Sequence, residues 1–189
     1  MKEEILDLKE KYAKKTIQEL MEKFGYKNKM AVPKIEKVVV NCGFGKMISG
    51  KTGQEREKIQ NHILESLALI TGQRPVLQKA RKSISGFKLK KGMPVGAMVT
   101  LRGRRMYDFL EKLIYLVLPR KRDFRGISKE SFDQNGNLTI GFKEYTPFPE
   151  VRAEKEKGIF GFEVTVVTSA KTKEEGIELL KSLGFPIKD

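Results

Sequence analysis

The chain has 189 residues and carries 38 Lys and Arg against 24 Asp and Glu, a formal net charge of +14. A hydrophobic content of 39% excludes a disordered tail, and the length fits one domain with a proper core. The first residues are too acidic for a signal peptide, and the longest apolar run, residues 113–118, is too short to cross a bilayer. We therefore expect a single domain over residues 1–189, with no membrane partner, in the cytoplasm.

Hydrophobic spacing and capping residues predict three elements in the first part of the chain. A first amphipathic helix ends at Gly25, and its apolar face consists of Ile5, Leu8, Tyr12, Ile17, Leu20, Met21 and Phe24. The β-branched residues 37–41 predict a strand that ends at Gly43. Thr52 with Glu55 forms a capping box for a second helix, which closes at Gly72.

The second part of the chain predicts two pairs of strands separated by a helix. Residues 76–78 and 97–101 read as strands, joined by a segment rich in Lys and Gly. A helix with Tyr107, Leu110, Leu113, Ile114 and Val117 on its apolar face is expected to stop at Pro119. An Asn135-Gly136 turn precedes the strands 138–142 and 162–168. Thr172 and Glu175 cap the last helix, which ends at Gly184.

Strands that follow one another directly favour an antiparallel sheet. The order of elements predicts an α+β fold with a largely antiparallel sheet of about five strands and an extended basic loop. The helices are expected to pack on one face of the sheet. The other face is then free to meet a ligand.

The positive charge is concentrated in one stretch. From Ser66 to Tyr107 the chain has no Asp or Glu and ten basic residues, so this stretch alone carries +10 of the +14. Glycines and prolines interrupt it too often for a continuous basic helix on a membrane surface. A solvated face remains an alternative, although such faces usually intersperse both signs. The pattern favours nucleic acid as the partner.

An enzymatic alternative comes from residues 45–52, which match the phosphate-binding loop pattern between a strand and a capped helix. As a nucleotide hydrolase, the chain would use Gly45 to Thr52 to hold phosphates and magnesium. Three features oppose this: no later strand ends in Asp, strand follows strand directly in two places, and the pattern fixes only four positions. The other interpretation is a flexible loop, with Thr52 simply capping the next helix.

Other catalytic and metal signals are weaker. Cys42 is the only thiol, expected to be a small buried residue at a strand end, and His62 is the only imidazole, expected on a helix surface. Metal-ligand spacing is absent from the sequence. We predict no catalytic residues, no metal site and no cofactor.

Several motifs together resemble one family. They are the residues 41–45 (NCGFG), 69–75 (LITGQRP), 79–89 (KARKSISGFKL), 92–96 (GMPVG), 99–103 (VTLRG), 118–126 (LPRKRDFRG) and 131–133 (SFD). The chain resembles the bacterial form of the large-subunit ribosomal protein five family over essentially its whole length. The resemblance implies a structural, non-enzymatic protein of the ribosome.

This resemblance also implies partners. It implies 5S ribosomal RNA in the central protuberance, 23S ribosomal RNA, the tRNA in the peptidyl site, and small-subunit ribosomal protein thirteen across an intersubunit bridge. It implies a monomer within the ribosome. The segment Lys143–Phe148 is our candidate for the bridge.

The resemblance assigns residues to two RNA surfaces. The ribosomal RNA surface comprises Asn41, Gly43, Gly45, Gln73, Lys79, Arg81, Lys82, Ser83, Thr100 and Arg102. The two glycines there are explained as letting the backbone approach RNA closely. The tRNA loop, within about Ser83 to Pro94, comprises Ser83, Ile84, Ser85, Gly86, Phe87, Lys88, Lys90 and Lys91. Phe87 either rests on a tRNA ribose or base, or packs against the base of its own loop.

Overall fold

Strands and helices form an α+β fold in residues 7–151 and 158–188, the part of the chain that this computed structural model describes. The strands are β1 (Ile35–Gly43), β2 (Val76–Lys79), β3 (Pro94–Leu101), β4 (Leu138–Phe142) and β5 (Phe162–Thr168). They hydrogen-bond in the order β2-β3-β1-β5-β4. The predicted fold class and the predicted five-stranded sheet are confirmed.

Neighbouring strands run in opposite directions. β2 pairs antiparallel with β3, with Val76 opposite Met98. Just after β1, the N–H of Phe44 donates to the carbonyl of Val95, at the start of β3. Just before β1, the carbonyl of Lys34 accepts from the N–H of Ser169, which follows β5. The antiparallel order expected from strands in direct succession is therefore confirmed.

The described residues group into two compact units. The first unit lies within residues 1–38, 102–140 and 165–189, and the second within residues 39–101 and 141–164. The expectation of one ribosomal RNA-binding domain over residues 1–189 stays a prediction. No helix among the described residues is both long and apolar enough to serve as a membrane span.

In the first unit, the initial helix is built from three segments in direct succession: Leu8–Lys11, a π-helical turn Tyr12–Thr16, and Ile17–Phe24. It ends at Gly25, which adopts the left-handed conformation with φ of 69°. The predicted helix and its stop are thus confirmed, whereas its proposed residue Ile5 lies outside the described residues.

The middle helix of the first unit includes every residue predicted for its apolar face. It comprises Gly103–Lys112, a π-helical turn Leu113–Val117, and a last turn Leu118–Arg120. The helix ends at Arg120, one residue beyond the predicted stop at Pro119. Pro119 directly follows the π-helical turn Leu113–Val117, so the proline lies in the last turn of a continuous helix rather than after its end.

The last helix of the first unit begins and ends where capping residues predict. It spans Lys173–Leu183, the Thr172 hydroxyl accepts from the N–H of Glu175 at 3.3 Å, and Gly184 follows with φ of 107°. Gly176 in its first turns lies against the backbone of Gly136, so closely that a Cβ at residue 176 would overlap the Gly136 carbonyl. The last helix therefore packs directly on the backbone of the predicted Asn135-Gly136 turn.

The second unit contains a short helix, Gly45–Ile48, and a long helix, Gly53–Thr71, which lies against β3. The predicted capping box is present, since the Glu55 carboxylate accepts from both the N–H and the hydroxyl of Thr52 at 3.0 Å. The buried residues of the long helix include Ile63, Leu67 and Ile70. Gly72 ends the long helix with φ of 66°, as predicted.

His62 of the long helix corrects one prediction. Instead of lying on the helix surface, it is only 8% exposed. Its ring meets Tyr145 and Phe160 edge-on, with centroids 6.1 and 5.9 Å apart. The ring is buried because aromatic residues from a later segment of the chain cover this side of the helix.

Candidate nucleic-acid interface

Alternation along the strands leaves one sheet face of the second unit open. On β1, Val40 and Cys42 are fully buried, while Asn41 is half-buried and Gly43 exposed. Along β3, Ala97, Val99 and Leu101 are buried, and the intervening Met98 and Thr100 are partly exposed. Because successive strand residues point to opposite faces, the sequence-predicted residues Asn41, Gly43 and Thr100 share the open face.

Asn41 is held by a carboxylate that the sequence reasoning did not single out. Its Nδ2 donates to Oε1 of Glu163 on β5 at 3.0 Å. This bond points the amide nitrogen toward β5 and so directs the amide oxygen, a hydrogen-bond acceptor, away from it. Glu163 could have been found from the alternation of β5, where it is the exposed residue between buried Phe162 and Val164.

Gln73 and Thr100 are also brought together, through the side chain of one and the main chain of the other. The Gln73 amide donates to the main-chain carbonyl of Thr100 at 3.2 Å. The Thr71 hydroxyl donates to the Leu67 carbonyl at 2.7 Å and accepts from the N–H of Gln73 at 3.4 Å, which ties this loop to the preceding helix. Gln73 therefore fixes β3, while the Thr100 side chain remains on the open face.

The two glycines assigned to RNA differ in their surroundings. A Cβ at Gly43 would meet no heavy atom within 4 Å, so nothing inside the described protein requires glycine there. At Gly45 a Cβ would make ordinary contact with Val95 at 3.6 Å. Open space at Gly43 is what the close approach of an external molecule requires, whereas Gly45 faces its own protein. The tightest of these glycines is Gly96, where a Cβ would lie 3.1 Å from the Cys42 carbonyl.

Residues 80–93, here called the basic arm, continue the β2-β3 hairpin. The N–H of Ala80 donates to the Met93 carbonyl at 2.8 Å, and the Ala80 carbonyl accepts from the N–H of Gly92 at 2.9 Å. Further out, Ile84 and Leu89 form an antiparallel bridge around the 3-10 turn Ser85–Phe87. The predicted extended loop is thus a hairpin-like arm, held by one isolated bridge rather than by strands of its own.

The basic arm presents most of its side chains to solvent. All residues from Arg81 to Lys88 are exposed, and the apolar Ile84 and Phe87 keep 47% and 61% of their surface. The exposure of Phe87 opposes the alternative in which it packs against the base of the arm. The Ser83 hydroxyl already makes a hydrogen bond within the arm, because its oxygen accepts from the N–H of Lys91 at 2.9 Å.

The cations of this region have no acidic partners within the described part of the chain. The exposed side chains concerned are those of Lys79, Arg81, Lys82, Lys88, Lys90 and Lys91. By contrast, Lys14, Lys15 and Lys23 of the first unit each lie within 4.0 Å of a glutamate carboxylate. Unneutralised positive charge along an exposed arm produces a field that attracts a polyanion.

Arg102 belongs to the first unit, where it precedes the Gly103–Lys112 helix as its N-cap residue and is exposed. Arg104 and Arg105 follow in the first turn, also exposed and without an acidic neighbour in that turn. The unit therefore carries basic residues of its own, separate from those of the basic arm.

The phosphate-binding pattern does not form a phosphate-binding loop. The N–H groups of Met47 and Ile48 donate to the Phe44 carbonyl, and that of Ser49 donates to the Gly45 carbonyl. These donors are satisfied inside a short helix and do not converge on a ligand. The Thr52 hydroxyl is engaged with Glu55, and the sheet is antiparallel. The geometry thus opposes the nucleotide-hydrolase alternative.

Cys42 is a small buried strand residue, as predicted. Its thiol donates to the Gly161 carbonyl at 3.3 Å, and burial raises its pKa to about 12. The thiol is therefore protonated at neutral pH and is not in the thiolate form that acts as a nucleophile. Across residues 7–151 and 158–188, no group of three or more His, Cys, Asp or Glu side chains is arranged to hold a metal ion.

The segment proposed for the intersubunit bridge is only partly accessible. Tyr145 and Phe148 are completely buried, and Pro147 is buried beside them. Lys143 and Thr146 are exposed. A partner protein could therefore reach the polar residues of the segment but not its aromatic ones.

Comparison with known proteins assigns the chain to a family. The family model described as ribosomal protein L5 matches residues 28–90, which include β1, β2 and most of the basic arm. A second model, described as the C-terminus of the ribosomal L5 family, matches residues 94–187. The large ribosomal subunit protein uL5 of Desulforapulum autotrophicum is 52% identical over 182 residues, covering 96% of this chain and 98% of its own. The chain belongs to the ribosomal protein L5 family.

Two further relatives agree. The uL5 proteins of Dictyoglomus thermophilum and Halothermothrix orenii are 53% and 49% identical, over 181 and 179 residues. These alignments cover 96% and 95% of this chain, and 98% and 97% of the relatives. The resemblance noted in the sequence is confirmed, and with it a structural role for this L5 protein in the large ribosomal subunit.

Proposed function

We propose that this L5 protein binds 5S ribosomal RNA through the open sheet face of its second unit and the base of its basic arm. The observation that carries the proposal is the combination of a polar, accessible face with exposed cations that lack acidic partners among the described residues. The face presents Asn41 and Thr100, with open space at Gly43.

The chemistry of the two groups of residues suits RNA. Lys79, Arg81 and Lys82 would neutralise phosphates, which supplies affinity and makes it depend strongly on salt. Amide and hydroxyl groups such as those of Asn41 and Thr100 can reach 2′-hydroxyls and base edges. Gln73 supports this surface indirectly, by fixing β3 through the Thr100 carbonyl.

We assign the outer part of the basic arm to the tRNA in the peptidyl site. Phe87 is exposed at the tip, where its ring can stack on a base or rest on a ribose. Lys88, Lys90 and Lys91 surround it with positive charge. The family resemblance supports this partner.

The remaining partners also rest on the resemblance. We propose contacts with 23S ribosomal RNA and with small-subunit ribosomal protein thirteen, the protein acting as a monomer within the ribosome. For the bridge, the accessible residues of the Lys143–Phe148 segment are Lys143 and Thr146, with Glu144 partly exposed.

Single substitutions test the division of the surface. Asn41→Ala and Thr100→Ala should each weaken 5S RNA binding by about tenfold, roughly the effect of one lost hydrogen bond at a buried contact. Phe87→Ala should leave 5S RNA affinity unchanged and weaken tRNA binding to the peptidyl site of reconstituted ribosomes. An equal loss of 5S RNA affinity in all three variants would show that the two surfaces have been divided wrongly.

A nucleotide-binding assay tests the hydrolase alternative directly. We expect no saturable binding of ATP or GTP to the purified protein. Magnesium-dependent hydrolysis that disappears in Lys51→Ala would contradict the proposed function.

A further inference from the structure

The segment with the phosphate-binding pattern contacts the tip of the basic arm. The hydroxyl of Ser49 donates to the main-chain carbonyl of Phe87 at 3.1 Å. Ser49 comes directly after the short helix Gly45–Ile48, and Phe87 is the last residue of the turn at the tip. A segment without a nucleotide-binding geometry thus makes a directed hydrogen bond to the turn that carries the exposed aromatic ring.

The donor is firmly placed. Phe44 precedes the short helix and Ile48 is its last residue; they are 0% and 1% exposed, and the N–H of Phe44 donates to the Val95 carbonyl at 2.9 Å. The N–H of Ser49 itself donates to the Gly45 carbonyl at 3.2 Å. These core residues anchor the backbone of Ser49, so its hydroxyl is held within reach of the arm tip.

The acceptor lies on a part of the molecule that has little support of its own. The outer arm is held by the antiparallel bridge between Ile84 and Leu89 and by the bond from the Lys91 N–H to the Ser83 hydroxyl at 2.9 Å. At the tip, the N–H groups of Phe87 and Lys88 donate to the Ile84 and Ser85 carbonyls at 3.3 and 2.9 Å. Residues 81–88 are all exposed, so almost no apolar burial orders them. An isolated two-stranded hairpin is at best marginally stable in water. The bond from Ser49 gives this tip a second attachment.

We propose that Ser49 is a positioning residue that fixes the direction of the arm tip, and with it the place where Phe87 and the neighbouring lysines meet RNA. The place of RNA contact rests on the proposed function of the arm. The direction of the arm tip is a property of the free protein alone. The two are measured in separate experiments.

Hydrogen exchange in the full chain tests the positioning itself. Ser49→Ala should raise the exchange rate of the Phe87, Lys88 and Leu89 amides by about fivefold, the size expected for loss of one hydrogen bond. Ser49→Thr keeps the hydroxyl and should restore the slow rates. Ser131→Ala is the matched control, because the Ser131 hydroxyl makes no hydrogen bond within the described residues. Unchanged exchange in Ser49→Ala would overturn the proposal.

Binding measurements test the consequence for RNA. In ribosomes reconstituted with each variant, Ser49→Ala should weaken peptidyl-site tRNA binding about twofold to fivefold, Ser49→Thr should not, and 5S RNA affinity should stay unchanged. Loss of tRNA binding in Phe87→Ala but not in Ser49→Ala would overturn the positioning role, as would tighter tRNA binding in Ser49→Ala. Faster exchange in Ser49→Ala, with tRNA binding intact in both variants, would leave Ser49 as the support of the tip and refute the tRNA function of the arm.

Discussion

The three cations at the base of the basic arm allow a quantitative test of the RNA surface. Replacing Lys79, Arg81 and Lys82 by Gln removes three exposed charges without acidic partners in the described chain. Each phosphate contact contributes about 0.7 to 0.9 to the slope of log affinity against log salt concentration. If each side chain meets one phosphate, the triple variant should lower the slope by about two to three.

The assay is filter binding of 5S ribosomal RNA over a salt series. Salt rises fourfold between about 50 and about 200 mM. If the slope is less steep by about 2.5, the triple variant loses about 30-fold less affinity over this range than the wild type does. The triple variant should therefore bind much more weakly than the wild type at low salt, and the two curves should converge as salt rises.

A matched control separates local contacts from net charge. Lys14, Lys15 and Lys23 also carry three charges, but each is paired with a glutamate carboxylate on the first unit. Replacing these three by Gln gives the same net charge and should leave the slope unchanged. Equal slopes for the two triple variants would refute the assignment of phosphate contacts to the arm.

Two further predictions concern stability, each measured by urea unfolding. Gly176→Ala should destabilise the protein by about 1 to 3 kcal/mol or more, because the new Cβ overlaps the Gly136 carbonyl and neither backbone can yield easily; unchanged stability would mean that this contact is looser than described. Tyr145→Phe should be neutral or stabilising by about 1 kcal/mol, since the buried Tyr145 hydroxyl has no hydrogen-bond partner among the described residues. A clear destabilisation there would reveal a buried water bound to the hydroxyl.

Elements with local end signals were predictable from the sequence. The Gly53–Thr71 and Lys173–Leu183 helices begin after Thr52 and Thr172, whose side chains bond the first turn, and end at glycines with positive φ. Such signals lie within a few residues of one another. They do not depend on what packs against the helix.

Features that depend on distant parts of the chain were not predictable in this way. His62 looks like a surface residue until Tyr145 and Phe160 cover it. The alternation of β5 predicts that Glu163 is exposed, but not that its carboxylate accepts a hydrogen bond from Asn41, 122 residues away in the sequence.

The alternation along β1 has a consequence for how this gene can change length. Asn41 and Gly43 stand on the open face only because Val40 and Cys42 stand on the buried one. Inserting or deleting one codon within Ile35–Gly43 would exchange the two faces beyond that point, burying the amide and exposing the core. Changes of two codons would preserve the alternation. Insertions and deletions within this strand should therefore come in multiples of two codons. The turns between strands can change length by any number of codons.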